Sequence, residues 1–571
     1  MTVGVCFPLE QSRGVMCWVY QTFLDALSAG HRIEFLPPGY HYAPEDRRRS
    51  MAEVFVRACG VVLGTCNVDI LQARRRLGLP TPFISCLLGN LPRGGAYVRA
   101  MLPYLTTNDT LLVTSTADEA LARKLVPNAT VRRLPLAFDD RRFVPAGGAE
   151  RAARRRENGF GPDDRVLLYA GRCMMSKNIL TLLRMFERLT RAIPNLHLVL
   201  AGSIESRGGL MRELGVWPAD FAATIRRASA RLAIPPERLH LLGQVRGDRL
   251  RDLYVAADLK VNLTLHHDEN FGLGQVEAMA CGTPVVGTAW GGLKDTIVAG
   301  VSGDLVSVRI DETGAKANWW EAVIAITRHL ADTRQRDAVR VSSSRHAHDR
   351  YSRAAFRRAL DGILSDCRRE VSASATPLTP SAFALEYWST CLDRSGIMYT
   401  PGERSFELYA ELLGDYCGST SKNVPLGEPV RDEHVLCLPW PVSIGAGGRF
   451  VPEDPHFPFA LAVPAEHRAE FASVMAVMRR QPVITVGELR RAMAPEPLAG
   501  RTLAWLLSAI LLRTRPSPDV PLPPPSLGSG DDALFTIQAI DPETVDLNVY
   551  RSAADIAAGS QRLSARTARA V

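Results

Sequence analysis

The chain has 571 residues, 46% hydrophobic and 22% charged; at about 150 residues per domain this implies roughly three or four domains and excludes a minimal peptide or wholesale disorder. Lys and Arg number 68 against 60 Asp and Glu, a net charge of +8 that weakly favours anionic ligands and selects none. Eleven cysteines without a CxxC pair exclude the common zinc and redox motifs and point to buried thiols in a reducing compartment, read here as cytoplasm.

The N-terminal MTVGVCFPLEQSRG lacks a basic stretch leading into a long apolar core, and no apolar run reaches the length of a membrane span, so neither secretion nor a transmembrane helix is expected. From TVGVCFPL to TVRRLPLAF, short β-branched runs alternate with segments of helical period, which predicts a parallel sheet covered on both faces. The stretch Pro145 to Asp164, rich in Gly, Pro and Arg, reads as a linker. The alternation restarts at RVLLYAG and runs to GDLVSV. The fold class is therefore α/β: two Rossmann-like doubly wound domains, residues 1–150 and 160–350, facing a cleft at the carboxyl ends of their strands.

Past a helix at 351–370, the Ser/Thr/Pro/Ala stretch VSASATPLTPSA reads as a second linker, and residues 371–571 as a mainly helical extension. Within it, ITVGELRRAMAPEPLAGRTLAWLLSAILLRTRP offers a capping Thr485, an amphipathic helix, a Pro/Gly turn and a second apolar helix, a loose match to a winged helix. The extension holds 17 basic and 22 acidic residues, a balance that disfavours nucleic acid. A peptide or protein contact, or acceptor docking, is the expected role, with little contribution to the rest of the site; a chain stopped near Glu370 is expected to fold.

The strongest chemical signal is DENFGLGQVEAMACGTPVVGTAWGG, which places Glu269 and Glu277 on either side of a Gly-rich turn into a helix. Gly272 and Gly274 let backbone N–H groups approach an anion, and the helix N-terminus adds its positive dipole end, so a diphosphate fits there. Glu277 can accept two hydrogen bonds from a vicinal diol such as a ribose; Glu269 faces what hangs from the distal phosphate. An acidic loop before a helix capped by Gly282 is the structural alternative. AGRCMMSKN follows the first strand of the same unit, and its Arg172 and Lys177 are the fork and the mobile point charge suited to a leaving diphosphate, unless they are solvated surface cations.

These residues resemble the GT-B retaining glycosyltransferases of family 4, group 1, strongly from about Arg165 to Val308 and more weakly over the first unit, through TSTADEALARKL and FDDRRF. The matches are the E-x7-E motif at Glu269 and Glu277, GR-x4-K at Gly171, Arg172 and Lys177, the AGS turn at Gly202 and Ser203, and EAMACGTPVV. The run RYSRAAFRRALDGIL resembles the helix that crosses back to the first domain. The resemblance implies a metal-independent transferase using a nucleotide-diphosphate sugar as co-substrate, with no cofactor. By it, Arg172 and Lys177 hold the diphosphate, Glu277 the ribose, and Glu269 with Asn270, Phe271, Gly272, Leu273 and Gly274 the sugar and phosphates. Nothing beyond about Glu370 is covered.

The acceptor half departs from that pattern. EQSRGVM has only Gly14 where many relatives carry more glycines, and PTPFISCLLGNLPRGG lacks a histidine after its strand; Asn90 and Arg93 are the polar alternatives, or an ordinary surface loop. His266 and His267 are adjacent, so on an extended segment they face opposite ways and do not easily ligate one metal; His267 or Asp268 is placed near the sugar instead, with a polar strand end as the alternative. The acceptor and the nucleotide base stay unassigned. The competing class is a nucleotide-sugar-sensing protein with a degenerate acceptor site.

Overall fold

The computed structural model describes residues 1–9, 15–89, 91, 95–174, 177–193, 195–204, 221–232, 234–266, 269–311, 314–391, 403–414, 416–417, 432, 435–437, 449–450, 461–463, 465–481, 483–494, 498–500, 502–503, 506 and 513–514. The first sheet is formed by β1 (Thr2–Cys6), β2 (Arg32–Phe35), β3 (Val61–Gly64), β4 (Phe83–Cys86), β5 (Thr110–Val113) and β6 (Thr130–Arg133). They lie in the order β2-β1-β3-β4-β5-β6, and every pair is parallel. β3, β4 and β5 are buried along their whole length, as strands covered on both faces must be.

The second sheet comprises β7 (Arg165–Ala170), β8 (Leu196–Ala201), β9 (Leu239–Gly243), β10 (Leu259–Asn262), β11 (Val285–Thr288) and β12 (Gly303–Val306), again all parallel. Its order is β12-β11-β10-β7-β8-β9, so the direction of winding reverses between β7 and β10. At such a switch point the two following loops diverge and leave a crevice at the strand ends.

The stretch expected as a linker between the sheets contains a helix, Gly148–Glu157. Its Arg151 and Arg155 reach the buried Asp258 at 2.7 and 3.2 Å, and Asp258 also accepts the Val166 N–H at 2.9 Å. The arginine run that reads as part of a linker in sequence is thus a clamp on the second domain. The helix Arg353–Arg369 returns to the first domain, where Phe356 meets Phe23 edge to face at 5.0 Å, as the resemblance implies.

VSASATPLTPSA runs along the first domain instead of away from it. The Thr107 N–H donates to Thr376 O, and the Leu378 and Ser381 N–H groups donate to Leu105 O and Leu125 O. Helices Ala382–Cys391 and Glu403–Gly414 follow, and Leu378, Tyr387, Trp388, Leu408, Leu412 and Tyr416 join the same apolar core as Leu105, Leu121 and Leu125 of the first domain. Beyond them, Val435–Cys437 pairs antiparallel with Val483–Thr485 and Arg513–Thr514, over a separate core that includes Phe471, Met478 and Leu489. Thr485 does cap the helix Val486–Ala492, in a capping box with Glu488. The cysteines at 6, 59, 86, 173, 281 and 367 are buried, and burial raises each of those thiols, which keeps them inert.

Candidate active site

The two segments leaving β7 and β10 carry the predicted charges, and one asparagine ties the segments together. Asn178, the last residue before the helix Ile179–Ala192, adopts φ 60°, a left-handed conformation that Asn tolerates better than most side chains. Its Nδ2 donates to Leu263 O at 3.1 Å. Lys177 then lies beside the segment after β10, and its Nζ meets Glu269 Oε2 at 2.5 Å, with both side chains about nine-tenths buried. Arg172 is exposed on the same segment as Lys177, and its carbonyl accepts the Tyr169 hydroxyl at 2.7 Å. Gly202, at the end of β8, allows that segment to turn: a Cβ there would stand 1.7 Å from Gly171 O.

The loop 269–272 is fixed on several sides. The Glu269 N–H donates to His266 O at 3.0 Å and its carbonyl accepts the Gly292 N–H at 2.7 Å. Asn270 O accepts the Thr114 hydroxyl of the first domain at 3.0 Å, while the buried Asn270 amide nitrogen has no hydrogen-bond partner among the described residues. Phe271 is buried edge to face against Tyr351 at 5.5 Å. Gly272, with φ 84°, caps the helix Leu273–Ala280, a backbone state that disfavours any side chain. A Cβ on Gly274 would lie 3.7 Å from Ala170 O at the end of β7, so the first turn of that helix abuts the switch point.

Beneath that turn lies a polar cluster that the motifs do not reveal. Lys260, fully buried on β10, donates to Gln275 Oε1 and sits 5.5 Å over the Tyr254 ring. The Tyr254 hydroxyl donates to Glu277 Oε2 at 3.2 Å. Burial pushes the Glu277 carboxyl up, opposed by the Lys260 charge; burial pushes Lys260 down, opposed by Glu277 and then Glu269. The signal available in sequence was a lysine alternating with Leu259 and Val261 in an apolar strand.

The structure thus brings Lys177 and Glu269 into contact, and it sets Gly272, Leu273, Gly274 and Glu277 on one helix over the switch point. Gly14, Asn90, Arg93, His267 and Asp268 lie outside the described residues. No group of three or more His, Cys, Asp and Glu is placed to hold a metal among the described residues, and none of the described helices is long and apolar enough to cross a membrane.

The family described as Glycosyl transferases group 1 matches residues 150–322. A D-inositol 3-phosphate glycosyltransferase of Geodermatophilus obscurus is 32% identical over 292 residues, 49% of this chain and 57% of that protein. One of Saccharomonospora viridis is 34% identical over 247 residues, 43% and 51% of the two. The chain therefore spans about half the length of these curated relatives. Among solved structures, a glycosyltransferase from Rickettsia africae aligns with a TM-score of 0.50 at 11% identity, over 65% of this chain and 98% of that one, a likeness of fold.

Proposed function

We propose, from a chain whose residues 150–322 are a group 1 glycosyltransferase domain, that the protein moves a sugar from a nucleotide-diphosphate donor to an acceptor, with retention of configuration and without a metal. The observation that carries this reading is the contact of Lys177 with Glu269 at 2.5 Å, set beside the N-terminus of the helix Leu273–Ala280 at the sheet's switch point.

Sugar transfer requires two opposite charges to be stabilised together, a cationic sugar and a departing diphosphate. The ammonium of Lys177, the guanidinium of Arg172 and the N–H groups at the start of the helix serve the diphosphate. Glu269 serves the sugar and holds Lys177 in place before the donor arrives. Glu277, braced by Tyr254, accepts from the ribose diol. A phosphate oxygen of the leaving group takes the acceptor proton on the same face, so no enzymic nucleophile is needed. The acceptor enters from the first domain, with the module beyond residue 432 available to dock a larger one.

The test is a thermal-shift screen of UDP-, GDP-, ADP- and dTDP-sugars, because a ligand that binds only the folded state raises its apparent stability. With the donor found, Lys177→Ala and Arg172→Ala are each expected to lower turnover by about 10²-fold or more and donor affinity by less. Wild-type rates in both variants would refute this assignment. Donor binding without hydrolysis or transfer would instead favour a sensor.

A further inference from the structure

We infer that Tyr416, from the extension beyond the family-matching domain, is a positioning residue for the donor site: it ties the loop that carries Glu269 to the first domain. This rests on the transferase reading above. The helix Thr116–Leu125 presents Asp118 at its first turn, fully buried. The hydroxyl of Tyr416, itself fully buried, donates to Asp118 Oδ1. From the same residue the backbone carbonyl accepts the Gly291 N–H of the second domain at 2.8 Å. Trp290 and Cys417 form a bridge beside it, and the rings of Trp290 and Tyr416 lie 5.8 Å apart.

Gly291 and Gly292 carry that restraint onward. A Cβ on Gly291 would stand 2.2 Å from Glu269 O, and one on Gly292 would stand 2.4 Å from both Asn270 O and the Phe271 Cα. The two backbones are therefore in contact, and the Gly292 N–H bonds Glu269 O at 2.7 Å. The Trp290 indole N–H also donates to His266 O at 3.0 Å. Asp118, Tyr416, Gly291 and Gly292, and Glu269 form one chain of contacts from the first domain to the carboxylate that pairs with Lys177.

A fixed Glu269 backbone matters more for the sugar, which Glu269 faces directly, than for the nucleoside diphosphate, which Glu269 reaches only through Lys177 and which also rests on Glu277 and the helix. The experiment uses the full chain with Tyr416→Phe, which keeps the ring and the backbone bond. Hydrogen exchange is followed over residues 266–274, and binding is measured for UDP-glucose, GDP-mannose, ADP-glucose and dTDP-glucose and for the matching free nucleoside diphosphates. Loss of this buried hydrogen bond is expected to weaken the sugar nucleotide by about tenfold and the bare diphosphate by less than about twofold, with faster exchange at 266–274. Asp118→Asn keeps an acceptor oxygen and is expected to stay near wild type. Asp118→Ala should repeat the Tyr416→Phe pattern, and it decides the matter if that variant does not fold. Equal losses for both ligand types, or unchanged exchange at 266–274, would overturn the inference while leaving the transferase reading intact. If none of the four donors bound the wild-type protein, the transferase reading would fall, and the tie to the donor site with it.

Discussion

A chain stopped after Glu370 keeps both sheets and the crossing helix and loses everything that binds Leu105, Leu125 and Gly291 from outside. Tyr387, Trp388 and Tyr416 are 1%, 2% and 0% exposed. Large aromatic side chains bury about 150–250 Å² each, so the surface they leave behind is on the order of 500 Å², beyond the few hundred that a monomer usually exposes. Two backbone donors, the N–H groups of Thr107 and Gly291, lose their partners as well. The shortened chain is expected to aggregate or self-associate. A chain stopped at residue 430 keeps Tyr416 and its contacts and is expected to stay monomeric and to bind donor. Size exclusion with light scattering, followed by a donor titration, measures both. A monomeric 1–370 chain with full-length donor affinity would show that the packing of residues 376–417 is dispensable. The sequence expectation for the Glu370 stop was the reverse, because VSASATPLTPSA has the composition of a linker and the partners of its backbone lie more than 250 residues away.

Two further predictions concern buried charge. In Lys260→Met, Glu277 loses the cation that opposes its burial, so its carboxyl, already pushed up by burial, should rise further. Because the proposed contact with the ribose diol needs the carboxylate, nucleoside diphosphate affinity should fall as pH drops in the wild type and already at higher pH in the variant; titrations from pH 6 to 9 with superimposable profiles would disprove the coupling. For Asp258, burial raises the carboxyl but Arg151, Arg155 and Arg336 outweigh it and hold it below its ordinary 3.8, so its stabilisation is present above that pH and is lost as pH falls below the lowered value. Asp258→Asn strands those guanidiniums and should cost about 3–5 kcal/mol in urea unfolding at pH 7, and a loss under 1 kcal/mol would mean that solvent screens the cluster.

The sheets were legible because their central strands are buried on both faces and read as apolar runs, and because Gly-rich turns mark the strand ends. The contact of Lys177 with Glu269 joins two motifs that could be picked out in sequence for a related reason: backbone N–H groups, a fork and a point charge must come from Gly, Arg and Lys at fixed distances from a strand. The extension was not. Tyr416 stands in GDYCGST, a local sequence with no periodicity, and its partners Asp118 and Gly291 are set by tertiary contact alone. Lys260 was passed over because a lone lysine in a strand reads as a solvated edge, whereas the buried Gln275 and the half-buried Glu277 that face it lie 15 and 17 positions on. Asn178 required its φ angle to be seen, since asparagine before a helix ordinarily reads as a cap.

In this chain the first and second domains meet beside the donor loop through several contacts of different origin. Thr114 bonds Asn270 O at 3.0 Å, and the Thr116 N–H and hydroxyl bond Asp295 at 2.6 and 2.5 Å; these lie within the two sheet domains. Tyr416, with Cys417 beside it, supplies contacts that come from outside them. A loop held only by its own domain would move with that domain whenever the cleft opened. With Asp118 and Gly291 both bound to Tyr416, opening has to break a buried hydrogen bond to a carboxylate or carry the extension along, and a buried carboxylate without its donor is costly. By the inference drawn above, the extension would bias the cleft toward the arrangement in which Glu269 and Lys177 are already paired, and so lower the ordering that binding of the proposed donor requires.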